Sequence, residues 1–90
     1  MTIRYRRNAD VLAEESAGAK VIFDPENGHF FGALGAGSHI WDQLAAPVTL
    51  EDLADSVRAN FSVPADAPVD TDVRKFIDQM VERKLVLILD

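Results

Sequence analysis

The sequence predicts an α+β fold: a three-stranded antiparallel sheet followed by three helices. Three observations carry this. Two apolar runs within residues 19–34 flank the turn Asp24-Pro25-Glu26-Asn27-Gly28, the pattern of a β-hairpin. Val73, Phe76, Ile77, Met80 and Val81 fall at i, i+3, i+4, i+7 and i+8, the period of an amphipathic helix. Strand patterns come early and helical patterns late, so sheet and helices are segregated along the chain.

Taken in order, Thr2 to Arg7 alternates, with Ile3 and Tyr5 on one side and Arg4 and Arg6 on the other. It reads as a strand or a loosely held arm, and its basic cluster Arg4, Arg6 and Arg7 as a solvated terminus. Asn8-Ala9-Asp10 is turn-like, Val11 to Glu15 reads as a short strand, and Ser16-Ala17-Gly18 turns it into the hairpin. The expectation is an antiparallel meander over residues 10–34. In its third strand Phe31 and Ala33 share one face, and Phe30 and Leu34 the other. Such a hairpin is marginal alone and must pack on something.

Gly35 to Ser38 ends the sheet. Ile40, Trp41 and Leu44 predict a short helix over 36–45, stopped by Pro47, with Trp41 as a core anchor. Thr49 is a good N-cap with Asp52 at N3, close to a capping box, and Val48 and Leu53 can staple across it. Leu50, Leu53, Ala54 and Val57 form the second helix's apolar face, extending to Phe61, before Ser62-Val63-Pro64 ends it. Asp70 or Thr71 is expected to cap the third helix. Its outer face mixes Arg74, Lys75, Asp78, Gln79, Glu82 and Arg83. Leu85 to Leu89 is a continuous apolar run. It is either a strand covering a sheet edge or one exchanged with a second copy, so the chain is expected as a monomer or a strand-exchanged dimer. The layout is similar to a winged helix-turn-helix with its sheet placed first.

Composition narrows the function classes. Ninety residues suit a single domain over 1–90, and 48% hydrophobic content argues against disorder. The absence of cysteine excludes disulfides and thiolate metal sites. A net charge of −6 argues against a broad nucleic-acid footprint. No signal peptide and no membrane-spanning run is visible, so the expectation is a soluble cytoplasmic protein without membrane contact.

Catalysis has little to stand on. No Ser-His pair sits in a recognisable motif, and His29 and His39 are separated by a strand and a turn, so neither a metal nor another cofactor is expected. Gly32, Gly35 and Gly37 lack both the Walker lysine and the full dinucleotide spacing, and serve better to turn strand into helix. Glu14 and Glu15, the tightest carboxylate pair, point to opposite strand faces. The chain is not expected to be an enzyme.

The ordered set RRNADVLAE, VIFDPENGHFFGAL, GxxIWDQL, PVTLEDLADSVRANFSV and DVRKFIDQMVERKLV resembles the PqqD-like proteins, peptide chaperones also called RiPP recognition elements. The resemblance spans nearly the whole chain. It departs at Leu34-Gly35, where the family commonly has Leu-Asn. It implies a domain that binds the leader of a ribosomally made precursor peptide and presents the precursor to a modifying enzyme. Within the family such enzymes include radical SAM enzymes, lasso-peptide leader peptidases and cyclases, and others, and the resemblance favours a lasso pathway for a short free-standing form.

The resemblance also implies that the leader adds as a strand to the third strand's edge and lies against the third helix. By position, this assigns the backbone of Phe30, Phe31, Gly32, Ala33 and Leu34, with Val73, Phe76, Ile77 and Met80. The residues themselves fit: edge strands are templates for strand addition. Phe76 and Ile77 read equally well as core. Met80 is the better groove candidate, because methionine adapts to varied apolar partners. The rival reading is a winged-helix DNA-binding regulator. It needs a basic recognition helix, whereas Arg74, Lys75 and Arg83 here face Asp72, Asp78 and Glu82 on an acidic protein.

Overall fold

The computed structural model describes residues 2–89. Its elements in chain order are β1 (Arg4–Arg7), β2 (Leu12–Ser16), β3 (Ala19–Asp24), β4 (His29–Leu34), α1 (Ala36–Gln43), α2 (Leu50–Asn60), α3 (Val69–Glu82) and β5 (Val86–Leu89). The α+β reading and the meander both hold: β2, β3 and β4 form an antiparallel sheet in that order.

Each turn of the meander follows from its residues. Ala17 and Gly18, at φ 52° and 82°, make a two-residue connection with both central residues left-handed. That is the type I′ geometry whose twist matches the strands it joins. Between β3 and β4, the Asp24 carboxylate accepts the backbone N–H groups of Glu26 (3.0 Å) and Asn27 (3.4 Å) and the Asn27 side-chain amide (2.6 Å). The Asn27 amide, followed by the two backbone donors, holds the Asp24 carboxyl below its ordinary pKa against the opposing pull of burial. Gly28, at φ 71°, returns its N–H to the Asp24 carbonyl at 2.8 Å.

Gly35 begins α1 at φ 54°, a conformation glycine takes without a Cβ penalty, which accounts for glycine after Leu34. In α2 the capping box is complete. The Thr49 hydroxyl accepts the Asp52 N–H (3.0 Å) and the Asp52 carboxylate accepts the Thr49 N–H (3.2 Å). In α3 the cap expectation is corrected. The helix starts at Val69 with Pro68 at the N-cap, so Asp70 and Thr71 lie inside its first turn. Val69 is buried, and that anchor pulls the start two residues earlier; Asp70 and Asp72 then favour the positive end of the helix dipole. Asp70 also takes the Arg58 guanidinium of α2 at 2.6 Å.

The chain ends come together. The apolar run after α3 is the edge-covering strand expected, and the edge it covers is that of β1, outside the meander. It becomes β5 and pairs antiparallel with β1, Tyr5 opposite Ile88 and Arg7 opposite Val86. Within one chain this already gives β5 a partner. On its other side β1 bridges Val48, with Tyr5 N–H to the Val48 carbonyl at 2.7 Å and the reverse bond at 3.0 Å. The core lies between the meander and the helices, where Ile22, Trp41, Leu44, Leu53, Ile77, Met80 and Val86 are sealed from solvent. Trp41 is the anchor its spacing predicted. No helix among the described residues is long and apolar enough to cross a membrane.

Candidate functional site

β4 lies at the edge of the meander, with β3 on one side and no strand on the other among the described residues. The turn before β3 decides which of its groups are free. A two-residue type I′ connection closes on a hydrogen-bonded pair, here Ser16 and Ala19. Hydrogen-bonding direction alternates along a strand, so Ala19, Val21 and Phe23 bond to β2, whereas Lys20, Ile22 and Asp24 bond to β4. Their partners Ala33, Phe31 and His29 are thereby used. Phe30, Gly32 and Leu34 point their N–H and C=O groups to the open edge.

A wall rises beside this edge. A cleft of about 690 Å³ is lined by His29, Phe30 and Phe31 of β4 and by Gln79, Arg83 and Leu85 at the far end of α3. Phe31 meets the ring of Phe76 edge-on, centroids 5.9 Å apart, and the Arg83 guanidinium lies 5.2 Å from the centroid of Phe31. Phe76 is in turn held from behind: a Cβ placed on Gly37 would come within 3.3 Å of its ring. Phe31 and Phe76 are half-buried, and Phe31 lines the cleft directly.

The structure separates the residues named from sequence into three groups. Phe30 to Leu34 form the edge. Phe76 stands beside it and touches Phe31. Val73, Ile77 and Met80 are buried, Ile77 and Met80 with 0% of their surface exposed. The expectation that Met80 lines an open flank is therefore corrected. The α3 stripe is wide because α3 packs on α2 along one flank and β5 along the other, and that consumes its apolar side chains. Sequence reasoning missed Arg83, Gln79 and His29 as neighbours of the edge. The helical pattern had assigned Arg83 and Gln79 to a solvated face. The signal available was position: Arg83 caps the helix, and Lys84 at φ 61° reverses the chain, which places both against β4.

Phe30 and Leu34 point away from the helices and are 67% and 74% exposed. One polar pair was invisible in the sequence. His39 Nε2 and Ser56 Oγ lie 2.6 Å apart, 17 residues apart in the chain, and tie α1 to α2. The other face of that histidine meets the Phe61 ring at 5.4 Å, and no carboxylate bonds it among the described residues. Among the described residues no group of three His, Cys, Asp or Glu is placed to hold a metal ion. What this edge can offer chemically is a ladder of alternating donors and acceptors, with an aromatic and cationic wall on one side.

Comparison with known proteins agrees with this geometry. The family described as Coenzyme PQQ synthesis protein D (PqqD) matches residues 19–86. A solved structure of TbiB1 in complex with the TbiA(beta) leader peptide is similar at TM-score 0.78 and 25% identity, over 90% of this chain and 93% of that one. A lasso peptide synthetase B1 complexed with its leader peptide shares the fold at TM-score 0.76 and 14% identity, over 92% and 96%. No curated protein matches the chain. On the family match, which runs from β3 to the start of β5, the chain belongs to the PqqD family.

Proposed function

We propose that residues 1–90 form a leader-peptide-binding domain that takes the leader of a ribosomally made precursor as an added strand on β4 and presents the precursor to a modifying enzyme. The observation that carries this is the free ladder of Phe30, Gly32 and Leu34 beside a ready-made wall. Family membership and the likeness to TbiB1, itself solved with a leader peptide, support it. Main-chain bonds to the ladder supply affinity, and side-chain pockets supply selectivity. Every second side chain of the added strand would face the Phe31, Phe76 and Arg83 wall. The others would lie beside Phe30 and Leu34. Val73, Ile77 and Met80 act from beneath, holding α3 at the distance a strand needs.

The partner enzyme is a leader peptidase, a cyclase or a radical SAM enzyme, and the domain performs no turnover of its own. The DNA-binding alternative is not favoured, because the exposed face of α3 pairs Arg74 with Asp78 (3.9 Å) and carries Asp70 and Asp72 at its start. The test is a titration of the ¹⁵N-labelled domain with a synthetic leader of the precursor encoded beside its gene. Amide resonances of β4 and of the end of α3 should shift, and the N–H groups of Phe30, Gly32 and Leu34 should become protected from exchange. Shifts confined to α1 and α2 would refute the assignment. A mass change on incubating the full precursor with the domain alone would refute the absence of turnover.

A further inference from the structure

A second groove opens away from the β4 edge. It has about 590 Å³ of space and is lined by Arg6, Arg7, Val11, Leu12, Trp41 and Ala45, among others. Its cations belong to a cluster in an acidic chain. The net charge is −6, yet Arg4, Arg6 and Arg7 fall within four residues. Lys20 takes Glu15 and Asp42, Arg58 takes Asp55 and Asp70, and Arg74 reaches Asp78, whereas Lys75, Arg83 and Lys84 make no ion pair among the described residues. Among the described residues no carboxylate lies within ion-pair distance of Arg4, Arg6 or Arg7. The floor is apolar, from Val11, Leu12 and the Trp41 ring, over which the Arg7 guanidinium sits at 5.7 Å. Trp41 also carries a buried indole N–H with no acceptor among the described residues.

Unpaired guanidinium groups beside an apolar floor call for one ligand chemistry: carboxylates next to apolar side chains. We infer that this groove docks an acidic, leucine-rich-type segment of the modifying enzyme, carboxylates on Arg6 and Arg7 and an apolar side chain on Val11, Leu12 and Trp41. The inference rests on the proposed role as a presenter, which requires a second surface free while the leader is bound. The positions allow both at once. Asn8, which lines this groove, donates its side-chain amide to the Lys84 carbonyl (3.1 Å) and its N–H to the Leu85 carbonyl (2.9 Å). Lys84 and Leu85 line the β4 cleft, so the sites are adjacent but do not share their walls.

Trp41 is the only tryptophan, so its indole ¹⁵N–¹H resonance is a unique reporter. The probe is a synthetic hexapeptide alternating leucine with glutamate. It should shift the indole resonance saturably. The response should weaken at least fivefold when glutamine replaces glutamate, and again in Arg6→Gln, whose exposed side chain can be changed without loss of fold. The combined Arg6→Gln and Arg7→Gln variant should abolish it. No indole shift at millimolar peptide, or a full response in the double variant with its fold intact, overturns the inference. So does an equal shift with inorganic phosphate or a single-stranded oligonucleotide, which would make the groove a general anion surface. The leader titration is followed at β4 amides in the same samples. Normal β4 shifts with a silent indole sink the docking site alone, whereas silent β4 amides sink the leader reading.

Discussion

The meander has two open edges, and they differ. β2 is exposed at all five of its residues and carries Glu14 and Glu15, the latter held by Lys20 at 2.7 Å. Carboxylates on an edge discourage further strands. β4 has no carboxylate or amine side chain, and α3 raises Phe76 and Arg83 beside it. Both edges have free main-chain groups, so hydrogen bonding cannot tell them apart. The difference teaches that an edge becomes a peptide site when a second element supplies a wall and when no charge repels the incoming strand.

Variants can break or sharpen that contrast. The largest effect is expected from Met80→Lys. Met80 is sealed beneath the wall, and a buried unpaired charge there should cost about 3 kcal/mol or more. Thermal unfolding should drop sharply, and leader binding should disappear only together with the fold. Unchanged stability with weakened binding would return Met80 to an open groove.

Next comes Phe76→Ala. It removes the ring between Phe31 and Gly37, and about 2 kcal/mol of stability is the expected loss for a half-buried phenylalanine. Leader affinity should fall, and the β2 edge should be unaffected, as read from amide exchange in β2. Arg83→Ala is smaller. It removes an exposed cation over Phe31, worth about 0.5–1 kcal/mol, so leader affinity should fall a few fold with little change in Tm. No change in affinity would remove Arg83 from the wall.

Acid tests the turn that sets β4 in register. The folded Asp24 carboxyl titrates below its ordinary value, so its stabilisation is present above about pH 4 and is lost as the pH falls below that value. The wild-type Tm should fall across that window, with Asp24→Asn lower at neutral pH and flatter through it. An identical slope in the variant would assign the acid sensitivity to other carboxylates. The smallest effect is expected at the other edge. By the same alternation, Ala13 and Glu15 point their N–H groups away from β3. Ala13→Pro should therefore leave the fold nearly intact and leader affinity unchanged, measured by anisotropy of a labelled leader. A loss of binding there would mean that the peptide uses β2.

What the sequence made legible was local. The turn at Ser16-Ala17-Gly18, the Asp24 turn, the Thr49–Asp52 box and the α3 stripe all depend on residues a few positions apart. The pairing of β1 with β5 joins the two ends of the chain, and neither run contains the other's register. The Met80 reading failed for a related reason: a helical stripe shows which side chains are apolar but not how many elements share them. Arg83 and Gln79 looked solvated because a periodic pattern describes one helix, and their role depends on where α3 stops relative to β4. His39 and Ser56 meet only because α1 and α2 cross.

The central claim is that β4 offers Phe30, Gly32 and Leu34 to an added strand and spends Phe31 and Ala33 on β3. Proline removes an N–H and is tolerated only where that N–H is free. Single proline substitutions through these five positions, each measured for thermal unfolding and leader affinity, test it most directly. Phe31→Pro and Ala33→Pro should destabilise the fold. Phe30→Pro, Gly32→Pro and Leu34→Pro should leave it largely folded yet sharply reduce leader binding. Unfolding by all five, or normal leader binding by the folded three, would contradict the account.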